Sequence, residues 1–207
     1  MNRIYRLVRQ LSTGEWVVVG EQAKSRQKSS HTITLGLLGG MLLAPPLTYA
    51  DPAAKAIPVL DNIASGTATI TPNTSLGRLT IDQASAKLIA NWQSFNVGEA
   101  ARVTFNQPDA SSIALNRIAG TAPSEIFGKV LANGQLILVN PAGMTIGVNG
   151  QVSASSVVAS SMNISDANFL NDVWLYERGT ATGSIENRGS ITANAGNAFL
   201  LSPSIMN

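Results

Sequence analysis

GKVLANGQLILVNPAGMTIGVNGQV, residues 128–152, is the stretch that decides how this chain folds. It opens on Gly128-Lys129-Val130, and the same order of glycine, one residue, then an apolar residue returns at Gly134-Gln135-Leu136 and at Gly150-Gln151-Val152. Between these sits the short apolar run Leu136-Ile137-Leu138-Val139. Runs of Val, Ile and Leu this short, bounded by Gly, Asn and Pro, are strand signals, because the turn residues end them before a helix could form. The step from Gly128 to Gly150 is 22 residues. That length suits one coil of a parallel β-helix, in which each coil buries its inward side chains against the next.

The rhythm extends outward from there. Gly183-Ser184-Ile185 and Gly189-Ser190-Ile191 repeat the triplet, and Val157-Val158-Ala159 and Phe199-Leu200-Leu201 are further short apolar runs. Asn133-Gly134, Asn149-Gly150 and Asn187-Arg188-Gly189 supply tight corners, where Asn and Gly accept backbone angles that other residues resist. A β-sandwich with hairpins at the same Asn-Gly sites would produce similar punctuation, so periodicity alone leaves both architectures open. Little helix is expected beyond the leader, except a short turn around Asp166–Asn171.

The first fifty residues have a different character. They hold six Lys/Arg against two Glu, whereas residues 51–207 hold eight Lys/Arg against ten Asp/Glu. The alkaline isoelectric point therefore belongs to the leader. The remainder is faintly acidic, with no basic face expected and no support for nucleic-acid binding. Within the leader, Lys24, Arg26 and Lys28 precede the apolar run Ile33–Ala44, which ends at Pro45-Pro46 and Leu47-Thr48-Tyr49-Ala50. A basic flank, an apolar core too short to span a bilayer and small residues at the end describe a secretory signal peptide. Cleavage is expected between Ala50 and Asp51. The domains read as 1–50, a removed extended signal peptide, and 51–207, the mature segment.

An ordinary signal does not need the thirty residues ahead of this apolar run. Asn2, Ile4–Val8, Gly14-Glu15-Trp16-Val17-Val18 and Lys28-Ser29-Ser30 resemble the extended signal-peptide region of large autotransporters and two-partner-secreted exoproteins of Gram-negative bacteria. The mature segment carries a second resemblance. It rests on Asn91–Gly98 (NWQSFNVG), Val103–Ser111 (VTFNQPDAS), Ala114–Ile118 (ALNRI), Ala132-Asn133-Gly134 with Leu138–Met144 (LVNPAGM), and Val158–Asp166 (VASSMNISD). In this order the motifs resemble the two-partner secretion domain, also called the filamentous haemagglutinin N-terminal domain. The resemblance implies an all-β fold, a right-handed parallel β-helix with an N-terminal cap and a small extra sheet. It also implies a cognate outer-membrane β-barrel transporter with periplasmic recognition domains, together with the Sec machinery and signal peptidase. The chain departs from the family at Ala142, where Asn-Pro-Asn-Gly-Ile is the usual pattern.

Candidate functional residues follow from these motifs. Asn140, Pro141 and Gly143 read as a fixed corner, Pro setting φ and the Asn side chain bonding nearby backbone, or as a contact with the transporter. Asn116 and Arg117 carry the same two readings. Trp92 and Phe95 are expected to plug the open end of the coil stack, since an uncovered end exposes apolar side chains and strand edges.

Chemistry is thinly represented. The chain has no cysteine, and its one histidine, His31, lies in the leader. Residues 51–207 show no nucleophile motif, phosphate loop or calcium-loop spacing, so no metal, cofactor or enzymatic activity is expected. Carbohydrate cleavage by carboxylates is the rival reading, with Asp109, Glu125, Asp166, Asp172, Glu177 and Glu186 available. Asn73-Thr74-Ser75 and Asn163-Ile164-Ser165 fit the glycosylation sequon. The expected role is secretion targeting for a haemagglutinin- or adhesin-like exoprotein bound for the cell surface or medium, with a host-cell surface as a further partner. The alternative is the front end of a secreted haemolysin or contact-dependent growth-inhibition toxin. Leu200-Leu201-Ser202-Pro203 remains in strand-like register near Asn207, which leaves a fragment of a longer protein and a small free-standing member both open.

Overall fold

The computed structural model describes residues 51–207, and in the leader the backbone of two strands, β1 (Ile4–Arg9) and β2 (Trp16–Gly20). These two pair with each other antiparallel. The apolar run Ile33–Ala44 and the Ala50 side of the cleavage site lie outside the described residues.

Two cap strands come next, β3 (Val59–Ser65) and β4 (Ala68–Asn73). The coils follow as β5 (Arg78–Gln83) and β6 (Lys87–Ser94), then β7 (Arg102–Asn106), β8 (Ile113–Ile118) and β9 (Ser124–Ile126). Next are β10 (Lys129–Ala132), β11 (Gln135–Val139), β12 (Met144–Ile146), β13 (Gln151–Ala154) and β14 (Ser156–Ser160). An insert then carries α1 (Asp166–Leu170) and β15 (Leu175–Glu177), before β16 (Ile185–Asn187), β17 (Ser190–Ala193), β18 (Ala198–Leu201) and β19 (Ile205–Met206) close the description. β1 also pairs antiparallel with β15.

Three parallel stacks result. Sheet I runs β4-β5-β7-β10-β13-β17, sheet II runs β3-β6-β8-β11-β14-β18, and the shorter sheet III runs β9-β12-β16-β19. The fold is the right-handed parallel β-helix expected from the sequence, with about five turns and an N-terminal cap. Within sheets I and II antiparallel pairing is confined, among the described residues, to the cap, where β4 pairs with β5 and β3 with β6. Everywhere else along sheets I and II the pairing is parallel.

Three of the five glycine triplets mark one column of this stack, while Gly134 leads into β11 and Gly183 into β16. Lys129, Gln151 and Ser190 are in register, so Gly128, Gly150 and Gly189 lie one above another at the corner leading into sheet I. A Cβ on any of them would strike a backbone carbonyl of the preceding coil: Gly98, Ile126 and Gly150 respectively. Coils can approach this closely only with glycine in the column.

Inside the stack, Leu79, Val103, Val130 and Val152 form one row and Leu88, Ala114, Leu136 and Val157 a facing one, all buried. A second apolar cluster lies outside the coils. Ile89, Leu115, Ile137 and Val139 project from the outer face of sheet II and are covered by Met162, Ile164, Phe169 and Tyr176 of the insert. The insert lengthens one coil, so Val152 meets Ile191, 39 positions on, where its other neighbour, Val130, is 22 positions back.

Candidate functional site

The expected site residues fall into two groups held by different parts of the fold. Asn116 lies on β8 and points into the stack, fully buried. Its Oδ1 accepts the indole N–H of Trp92 at 3.0 Å, and its Nδ2 donates to the carbonyls of Ala114 (3.3 Å) and Ile137 (3.4 Å). One polar side chain thus satisfies a buried Trp donor and links three successive coils, and buried polar groups are tolerated only with such partners. Trp92 and Phe95 pack edge to face, ring centroids 5.3 Å apart, inside the first coil. The cap lies over them. Ile57, Leu60 and Ile70 pack onto this core, and a partly open pocket of about 360 Å³ lined by Lys55, Leu60, Ile70, Leu79 and Trp92 lies at the junction of cap and coil.

Arg117, the next residue, points the opposite way, as alternation along a strand requires. Its Nη2 donates to the Ile164 carbonyl at 2.7 Å and pairs with Asp166 at 2.8 Å, and its Nε donates to Asn163 Oδ1 at 3.0 Å. Arg117 therefore fastens the insert onto sheet II. Lys87 does the same at the far end of α1, donating to the carbonyls of Phe169 and Leu170 and to Asp172 at 2.7 Å. Ser165 caps the start of the helix by accepting from the Asn168 N–H.

Asn140, Pro141 and Gly143 form the corner between sheets II and III. Asn140 is fully buried; its Oδ1 accepts the Ala142 N–H at 3.0 Å, and its Nδ2 donates to the Ala122 carbonyl (3.1 Å) and to Ser124 Oγ (2.9 Å). Gly143 has φ +105°, and a Cβ there would sit 2.6 Å from the Ser184 carbonyl oxygen. Pro141 is exposed, and Ala142 is half-buried with its backbone against Gly183. The corner closes through Asn140 and main-chain groups, with no amide needed at position 142. Asp51 is exposed.

The acidic residues considered for carbohydrate cleavage are dispersed and mostly engaged. Asp109 accepts from the amides and hydroxyls of Ser111 and Ser112, which hold its carboxyl below the usual range. Asp166 and Asp172 pair with Arg117 and Lys87, and Glu186 with Arg188. Partial burial, with Asp51 nearby, raises the pKa of Glu125, and Glu177 is exposed on β15. Among the described residues no cluster of three His, Cys, Asp or Glu could hold a metal ion. Asn73 and Asn163, of the two sequons, are both exposed. Asn73 accepts from Ser75 and Leu76, and Asn163 from Arg117.

Sequence reasoning missed two features. Gln83 and Gln107 form a buried ladder at the corner between sheets I and II. Gln107 Nε2 reaches Gln83 Oε1 (3.3 Å) and the Ser112 carbonyl (3.1 Å), while its Oε1 accepts the Gly134 N–H at 2.9 Å. The sequence shows them only as two glutamines one coil apart. The second is a correction. No basic face was expected of the mature segment, yet Arg78, Arg102 and Lys129 stand in register on adjacent strands, all exposed. Net charge hid this row because the coil steps, 24 and 27 residues, separate its members widely along the chain.

Comparison with known proteins agrees with the architecture. A family model described as the TPS secretion domain matches residues 59–207, and one described as the extended signal peptide of the type V secretion system matches residues 1–47. The crystal structure of the HMW1 secretion domain from Haemophilus influenzae superposes with a TM-score of 0.65 at 27% identity, covering 70% of this chain and 39% of that one. A heme/hemopexin-binding protein of H. influenzae strain Rd is 34% identical over 117 residues, which is 56% of this chain and 12% of the relative. A second heme/hemopexin-binding protein from that species is 31% identical over 124 residues, or 60% and 13%. The aligned parts are thus about an eighth of these curated relatives.

Proposed function

The chain belongs to the TPS secretion domain family, and from that premise we propose that residues 51–207, freed by cleavage after Ala50, are the front end of a large adhesin-like exoprotein that folds coil by coil after crossing the outer membrane. Membership implies a cognate outer-membrane transporter and a Sec-dependent signal, and export runs through the periplasm to the cell surface or medium. The observation that carries the finer reading is the coincidence of the family match with the solenoid. Residues 59–207 are the span in which each coil's strands pair with those of the coils before and after it. Such a stack can grow from one end, and each coil formed outside would oppose the chain's return.

In this reading Asn116 and Asn140 act as internal ties of the coils, and Arg117 as the clasp of the insert. Pro141 and the exposed edge of its corner are left for the transporter. The domain acts as a targeting and structural module, not a catalyst. The engagement of Asp109, Asp166, Asp172 and Glu186 in fold contacts supports that, because a catalytic carboxylate pair must stand free on either side of a substrate bond. Ligands of the two relatives, heme and hemopexin, become candidates for whatever longer protein this front end serves.

The test is expression in a Gram-negative host with and without the cognate transporter, read by mass spectrometry of periplasm and medium. A chain beginning at Asp51 should appear in the medium only when the transporter is present. Equal release without it, or retention in the periplasm with it, would contradict the proposal.

A further inference from the structure

Two features meet on the outer face of sheet I. The first is the row Arg78, Arg102 and Lys129, whose neighbours are about 4.8 Å apart across the strands. None of the three is ion-paired among the described residues. The carboxylates closest along these segments, Asp82 at the far end of β5, Glu99 ahead of β7 and Glu125 on β9 ahead of β10, do not pair with them, and Asp82 instead accepts the Asn106 amide at 2.7 Å. Like charges directly opposite one another weaken a sheet, so folding does not account for this row. The second feature begins two positions further along the same strands, about 7 Å away. There an open trough of about 300 Å³ is lined by Thr104, Asn106, Leu131, Asn133 and Ser153. Asn106 donates to Asp82, Asn133 bonds the Gln107 backbone and Ser153 accepts from Asn194, each with further hydrogen-bonding capacity.

Hydroxyls and amides beside exposed guanidinium and ammonium groups are the chemistry that holds an acidic sugar. The neutral groups hydrogen-bond ring hydroxyls, while the cations take carboxylate or sulfate, Arg in a two-pronged fashion. The cation row crosses β5, β7 and β10 and the trough crosses β7, β10 and β13, so both run along the solenoid axis and overlap on two strands. We propose that the open face of sheet I binds an acidic polysaccharide strand laid along that axis. The idea rests on the export reading only for where the face would meet its ligand.

The signal-cleaved chain, purified from medium or periplasm and shown by circular dichroism and a cooperative thermal transition to be folded, is assayed for binding to dextran sulfate, with neutral dextran, phosphatidylglycerol vesicles and duplex DNA as comparisons. Binding is thus read even if export fails. Saturable binding to dextran sulfate and none to neutral dextran is expected. R78Q/R102Q/K129Q should weaken it at least tenfold without lowering the thermal midpoint. Thr104→Leu, which fills the trough and leaves the charge alone, should weaken it several-fold, whereas Arg188→Gln, a cation elsewhere, should stay within twofold. Absence of dextran sulfate binding, or equal binding by the triple variant, overturns the proposal. So does an unchanged Thr104→Leu variant, or vesicles or DNA bound as tightly, either of which reduces the face to a plain ion exchanger.

Discussion

Sheets I and II share one interior but face different surroundings outward, and their sequences record the difference. Strands of sheet I alternate: in Arg102–Asn106, Val103 and Phe105 are buried while Arg102 and Asn106 are exposed. The strands of sheet II beneath the insert, β8 and β11, do not. Leu136–Val139 is buried at every position, because Leu136 and Leu138 face the stack while Ile137 and Val139 face the insert. A sheet covered on both faces reads as a continuous apolar run, and one covered on a single face reads as alternation. The insert is what makes the two sheets unequal, and substitutions on their outer faces should therefore have unequal costs.

The largest contrast lies between Ile137→Ala and Thr104→Ala. The first empties a site under the insert and should cost about 2–5 kcal/mol, whereas the second, on the open face, should stay within about 0.5 kcal/mol. Urea midpoints measure both, and equal costs would break the comparison. Next comes the clasp. Arg117→Ala should cost about 1–3 kcal/mol, mostly through the lost charged hydrogen bond to Ile164, whereas Asp166→Asn should cost less than about 1 kcal/mol, since that ion pair is half-exposed. Hydrogen exchange should show the Arg117 loss confined to residues 161–177.

A smaller effect is expected at Tyr176. Its hydroxyl is buried with no hydrogen-bond partner among the described residues, and burial pushes its pKa up. Tyr176→Phe removes an unsatisfied group and should leave stability unchanged or raise it by up to about 1 kcal/mol. The smallest effect belongs to Asp109, at the exposed corner joining the sheets. Its pKa is lowered in the fold by hydrogen bonds from Ser111 and Ser112. Its contribution is therefore present above the unfolded pKa and lost as pH falls through the folded one. Asp109→Asn should flatten the acid limb of the stability–pH profile by lowering stability slightly at neutral pH and leaving it unchanged below the folded pKa.

Much of this architecture could be read from the sequence, for identifiable reasons. The glycine triplets gave the coil step because Gly128, Gly150 and Gly189 fill one column. The corner role of Asn140 could be anticipated from Asn-Pro, which forms a turn by local chemistry alone. Features that depend on register were hidden. The Arg78–Arg102–Lys129 row exists only once uneven coil steps bring the strands level, and the Gln83–Gln107 ladder likewise. That Asn116 points inward and Arg117 outward follows from strand alternation, but which of the two would meet Trp92 required the phase of β8.

If the chain crosses the outer membrane unfolded and gains its coils outside, a covalent tie between neighbouring coils must block export. Thr80 and Thr104 are in register on neighbouring coils of the open face, at a spacing a disulfide can bridge, and the chain has no cysteine to interfere. The decisive measurement is secretion of the Thr80→Cys/Thr104→Cys chain, with its transporter present, in hosts able and unable to form periplasmic disulfides. The double variant should be held in the periplasm only in the oxidising host, with each single variant exported normally. Release of the cross-linked chain at the rate of the unaltered one would contradict unfolded passage.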